Sequence, residues 1–209
     1  MNVTPSTLLS AESPAPFLRA SEYIDFRHPA VASLAADLAA GKETEEAVVK
    51  SCFEYVRDRI DHTGDAGCGV STIKASEVLE QQTGWCYAKS HLLAALLRAN
   101  GIPAALCYQR LSCSEYAPGI YCLHGLNAVW LKAYGWYRID ARGNKKGGDA
   151  QFTPPVERLA FALGENEYDI EGRFAEPLPE VIEALRMYRT YNAMIGHFPD
   201  IRQRGNAGG

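Results

Sequence analysis

The chain has 209 residues, a formal charge of −4 and a hydrophobic share of 47%. That length suits a single domain over 1–209 with a sizeable core, and the apolar share excludes a disordered chain. The mild negative charge excludes a broad basic surface, so neither nucleic acid nor an anionic membrane is expected as a partner. No stretch reaches the about 18 apolar residues that span a bilayer, and residues 1–19 lack the basic and apolar regions of an export signal. A cytoplasmic protein is therefore expected. The six cysteines are then read as reduced, mostly as small buried hydrophobes. No Cys-x-x-Cys pair occurs, and Cys113, Cys122 and His124 do not have structural-zinc spacing, so no metal is expected.

Residues 1–20 carry Pro5, Pro14 and Pro16 and read as an irregular arm. Pro29 suits the first turn of a helix that runs to about Ala40 and stops at Gly41. Thr44 is a natural N-cap for a second helix. Glu45 and Glu46 lie in its first turn, and Val48, Val49, Cys52, Phe53, Val56 and Ile60 recur at helical spacing. Residues 61–69 read as a loop, and Ser76 as the cap of a short helix through Gln81. Thr83 caps the next helix, which places Cys86 at its third position. That helix is apolar on most sides to about Ala99, which predicts a buried central helix. Asn100-Gly101 and Pro103 end it.

A strand is predicted over 103–111, a loop over 112–119, and a hairpin from His124–Leu131 and Gly135–Ala141 joined through Lys132, Ala133 and Tyr134. His124, Leu126, Ala128 and Trp130 share a face, and Asp140 joins it if the connection has an odd number of residues. Arg142, Lys145 and Lys146, in a Gly-rich stretch, read as a solvated turn. Residues 152–174 are mixed. A C-terminal helix from Pro179 to about Ala193 and a polar tail complete an α+β chain, its central helix packed on an antiparallel sheet.

A cysteine that opens a helix, followed by a histidine and an aspartate on successive strands, is what a thiol nucleophile needs. The helix N-terminus and an imidazolium both favour the thiolate, and a third group orients the imidazole. Cys86 is the expected nucleophile, His124 the base and acid, and Asp140 the orienter. His91, five residues after Cys86, faces about 140° away on a helix with 3.6 residues per turn and is excluded as the base. His28 reads as a helix cap, His62 as a loop residue. The Cys86 N–H is the main oxyanion donor. Gln82 is a further candidate with Gln81, Asn127 is a candidate polar group of the site, and Trp85 either caps the core or lines the substrate cleft.

Gly84-Trp85-Cys86-Tyr87-Ala88-Lys89-Ser90-His91-Leu92-Leu93, followed by Leu97-Arg98-Ala99-Asn100-Gly101-Ile102-Pro103-Ala104, closely resembles the core of the transglutaminase-like superfamily. The likeness covers about 45–142, with the His124 and Asp140 blocks in order. It implies a fold akin to papain-like cysteine peptidases and the same Cys86, His124 and Asp140 roles. Many members have His-Ala-Trp where this chain has His124-Gly125-Leu126. The expected activity is acyl transfer on a protein or peptide amide, hydrolytic rather than transamidating, with no cofactor. The alternative is a protein- or peptide-binding module that keeps the fold without catalysis.

Overall fold

Helix α1 (Pro29–Ala39) opens on proline, whose missing N–H costs nothing in a first turn, and the chain leaves it through Gly41 at φ +69°. In α2 (Glu45–Arg59) the Thr44 hydroxyl accepts the Ala47 N–H at 3.2 Å, and Val49, Cys52, Phe53 and Val56 form the buried face. A computed structural model of the chain describes residues 13–113, 119–145 and 148–201. The far N-terminal arm, the tip of the 112–119 loop, Lys146 and the polar tail lie outside the described residues.

The stretch expected as a loop is ordered by a partner distant in sequence. Strand β1 (Asp61–His62) is followed by the short α3 (Thr63–Ala66), and β1 pairs in parallel with β2 (Thr83–Gly84), His62 opposite Gly84. Between them lies α4 (Ala75–Gln81), with Lys74 at its N-cap. Ser76 sits inside the first turn and donates to Asp25 instead of capping. Thr83 lies in the β1–β2 ladder, and its hydroxyl is spent on the Thr63 hydroxyl and the Asp61 carbonyl instead of a first-turn N–H. Helix α5 (Cys86–Ala99) therefore begins later than expected, with Trp85 at the N-cap and Cys86 as its first residue.

Every residue of α5 from Cys86 to Arg98 is buried. Helices α1, α2 and α4 pack on it from one side and the sheet from the other. Each of its interior polar side chains makes at least one hydrogen bond, as burial demands, although His91 Nε2 has no partner. Lys89 donates to the carbonyls of Ile60 and Arg57, His91 meets the Ile73 carbonyl at 2.7 Å, and Arg98 donates to Ala104, Arg19 and Ala175 carbonyls.

The sheet has the order β5-β4-β3-β6, every pairing antiparallel. Its strands are β3 (Ala104–Ser112), β4 (Tyr121–Leu131), β5 (Gly135–Ile139) and β6 (Tyr168–Phe174), the last drawn from the stretch of mixed character. Leu131 pairs with Gly135, so the connection holds three residues, Lys132 to Tyr134, and the odd-length condition is met. Leu123, Val129 and Leu131 face the main core around α5, while Leu126 and Ala128 face a smaller cluster with Phe17. Phe17 belongs to a 3-10 turn, Ala15–Leu18, within the arm expected to be irregular, and packs edge-on against Trp136. Strand β5 pairs with β4 only as far as Asn127↔Ile139, so the edge of β4 is open before that point.

The C-terminal helix is two pieces. Helix α6 (Pro179–Met187) stops because the following residues pair with the segment before α4: Ser71 N–H donates to the Arg189 carbonyl at 2.9 Å, and Thr190 bridges Val70. Thr190 then caps the short α7 (Tyr191–Met194). Cys113 and Cys122 form a disulfide across the β3–β4 connection, their Cα atoms 6.1 Å apart. That pairing corrects the expectation of six free thiols: the ladder sets Cys122 opposite Leu111, which makes Cys113, two residues on, its diagonal neighbour on the same face. Among the described residues no helix is long and apolar enough to cross a membrane.

Candidate active site

As the first residue of α5, Cys86 sits among first-turn N–H groups that have no intrahelical acceptor. Gly125 on β4 donates its N–H to the thiol sulfur at 3.4 Å. This contact follows from two features of the sheet. With β5 ended at Asn127, the Gly125 N–H points into an open edge. And with no side chain, Gly125 lets β4 lie against the first turn of α5: a Cβ there would stand 3.0 Å from Tyr87 Cα and 3.1 Å from Tyr87 N.

His124, the preceding residue, donates from Nε2 to Asp140 Oδ2 at 2.8 Å. Nδ1 is left for the Cys86 thiol, which lines the same cavity and helps to raise the imidazole. Asp140 is fully buried and held by two further donors, the Arg142 N–H on Oδ1 and the Ala160 N–H on Oδ2, each at 3.1 Å. Burial opposes ionisation of the carboxyl, yet the imidazolium and these N–H bonds keep it below the usual carboxylate range. Burial likewise disfavours charge on His124, but Asp140 and then Cys86 outweigh it and lift the imidazole to about 10. The Phe161 ring packs edge-on against His124 at 5.5 Å.

The thiol and imidazole open into a cavity of about 330 Å³ walled by Trp85, His62, Phe161, Phe198 and Arg142 among others. Trp85 fills both roles weighed for it: it is 2% exposed and donates from Nε1 to Ser71 Oγ at 3.0 Å, and its remaining surface lines the cavity. The structure does not bring Gln82 or Asn127 to the thiol. Gln82 is the exposed C-cap of α4 at φ 53° and donates its amide to the Leu79 carbonyl. Asn127 is buried on the α5 face of β4, where its amide donates to the Ser90 and Ala105 carbonyls and ties helix to sheet.

Three cavity residues were not singled out from the sequence as part of a site. His62 is there because β1 pairs beside β2. Arg142 is not part of a solvated turn: it is buried, pairs with both Asp65 oxygens at 2.7 and 2.8 Å, and lies over the Phe161 ring. Lys145 also reaches Asp65, at 3.3 Å. Arg142 follows Asp140 by two residues, a spacing that could have marked it. For His62 only a long-range pairing carries the signal.

The family model described as "Transglutaminase-like superfamily" matches residues 32–141. The chain belongs to the transglutaminase-like superfamily. The match takes in α1, beyond the span recognised by motif, and contains Cys86, His124 and Asp140. Among solved structures, this superfamily member is similar to a candidate cysteine protease from Cytophaga hutchinsonii, with 18% identity and a TM-score of 0.51 over 76% of this chain and 51% of that one. It is also similar to the periplasmic domain of TgpA from Pseudomonas aeruginosa, with 19% identity and a TM-score of 0.45 over 62% of this chain and 47% of that one. The chain thus spans about half the length of these proteins. No curated protein sequence matches it significantly. At 18% identity the likeness to the Cytophaga hutchinsonii protein speaks for the fold alone, a mixed helix and antiparallel sheet.

Proposed function

We propose that this transglutaminase-like protein is a thiol-dependent acyl-transfer enzyme that hydrolyses an amide or peptide bond. One observation carries the reading: the Cys86 thiol, held by the N–H of Gly125, and the neighbouring His124 imidazole line one cavity, and that imidazole is bonded at 2.8 Å to the buried Asp140 carboxylate. The thiolate attacks the carbonyl carbon, and the carbonyl electrons move to oxygen. Collapse of that oxyanion breaks the C–N bond, and the amine leaves with the proton carried by His124. Water then attacks the thioester and gives a proton to His124; the C–S bond breaks, and a carboxylic acid leaves. Asp140 keeps Nε2–H pointed at itself, so Nδ1 stays turned to the thiol. The cycle calls for no cofactor.

The test needs no known substrate. Iodoacetamide alkylation is followed at each cysteine by peptide mass spectrometry at neutral pH. Buried Cys52 and Cys107, whose thiols desolvation pushes up to about 12, serve as inert references, and exposed Cys68 as the ordinary one. Cys86 is expected to react faster than Cys68, and His124→Ala to remove the advantage. A Cys86 no faster than Cys68 in the wild type overturns the reading and leaves the non-catalytic binding module.

A further inference from the structure

The structure assigns a second histidine to the chemistry: we propose that His62 donates from Nε2 to the oxyanion formed when Cys86 attacks a carbonyl, alongside the Cys86 N–H. This rests on the thiol acyl-transfer reading above and names a residue which that reading leaves unused.

The placement comes from backbone pairing. His62 stands opposite Gly84, two residues before Cys86, and its side chain lines the same cavity as Cys86 and His124. The ring meets Trp85, the residue preceding the thiol, edge-on at 5.7 Å and 90°. His62 is 9% exposed, and its Nδ1 is sealed inside without a hydrogen-bond partner. The nearest carboxylate, Asp65, is 3.8 Å from Nδ1, beyond hydrogen-bond reach, and both its oxygens are taken by Arg142. The assignment places Nε2 toward the cavity that His62 lines. A sealed polar atom in the wall of the cavity that holds the thiol asks for an explanation, and a ring that presents its one proton to the cavity supplies it.

The charge state fits that task. Burial, followed by Arg142, Lys89, His124 and Lys145, holds His62 well below the ordinary histidine value. The ring is therefore neutral beside an imidazolium and carries a single N–H. Asp65, the nearest charge to Nδ1, is taken up by Arg142 and Lys145 and offers Nδ1 no acceptor, so the single proton is assigned to Nε2. A preorganised neutral donor in a site shielded from water stabilises developing charge without reorganising.

Two reagents separate this role from packing. Acylation of Cys86 by p-nitrophenyl acetate passes through a tetrahedral oxyanion; alkylation by iodoacetamide is direct displacement at carbon and forms none. His62→Phe keeps an aromatic edge for Trp85 and removes the donor, while His62→Gln returns an N–H. The expected result is a loss of acylation rate on the order of 10²–10³ in His62→Phe, the usual cost of one oxyanion donor. Alkylation should be unchanged, and acylation partly restored in His62→Gln. Unchanged acylation in His62→Phe, or acylation and alkylation falling together in both variants, overturns the assignment. A wild type that nitrophenyl acetate does not acylate at Cys86 overturns the acyl-transfer reading first, and the His62 role with it.

Discussion

Gly125 illustrates how narrow the tolerances are at the scale of single residues. A methyl group there would meet Tyr87 backbone atoms at 3.0–3.1 Å, a contact relieved only by moving β4 away from α5 by a few tenths of an ångström. The thiol and the imidazole sit on opposite sides of that contact. Gly125→Ala is therefore expected to lower the Cys86 acylation rate about tenfold, given how steeply rates fall with misplacement of reacting groups, while circular dichroism shows the fold retained. Asp140→Asn replaces an acceptor with an amide that can turn its N–H toward Nε2 and favour the wrong tautomer. A rate loss on the order of 10²–10⁴ is expected, as where the orienting group of a triad is lost. The same carboxyl links folding to acid. Its folded pKa lies below its unfolded value of about 3.9. The stability it contributes is present above that value and lost as pH falls through the folded one. Acid unfolding of Asp140→Asn, followed by circular dichroism, should show a shallower dependence below about pH 4 than the wild type. At this scale Cys86, His124 and Asp140 were legible because each sits in a local pattern: a helix start and two alternating strands. His62 was not, because its place depends on pairing with Gly84 across an intervening helix.

Helix α5 shows what an element demands of its surroundings. Lys89, one turn beyond Cys86, spends its ammonium on the carbonyls of Ile60 and Arg57, and so holds the end of α2 that leads into β1 and His62. Desolvation, and secondarily Arg142, lower Lys89 to about 7. Its unfolded value is about 10.4, so between those two values the unfolded chain binds the extra proton and stability rises with pH. Lys89→Met should flatten that rise between pH 7 and about 8.5, the range below ordinary thiol titration; urea midpoints at several pH values measure it. Element boundaries were harder to read than element types. The amphipathic pattern of α2 and the apolar run of α5 are local, and both helices stand where they were expected. The start of α5 and the break between α6 and α7 are set instead by β1–β2 pairing and by residues 70–71 meeting 189–190, contacts between segments about 20 and 120 residues apart.

Across the whole molecule, the C-terminal segment returns to the cleft. Leu123, two residues before Gly125 on the same open edge of β4, donates its N–H to the Pro199 carbonyl at 2.8 Å, and Arg110 grips Asp200 with two bonds of 2.6 and 2.8 Å. Between these anchors and α7, Phe198 closes one wall against Trp85. Asp200→Ala should loosen that wall. Alkylation of Cys86 by a bulky maleimide is then expected to rise severalfold relative to alkylation by the smaller iodoacetamide. An equal ratio in variant and wild type would show that the strap does not limit access.

The burial of α5 on all sides has a thermal consequence. The thiol is carried by the element with the most neighbours to lose, and such elements open only when the entire structure does. The Cys86 thiol therefore has no cheaper way to leave its place on α5 than global melting. Loss of Cys86 reactivity on heating should follow the same curve as loss of helix ellipticity, with no inactive but folded species between them.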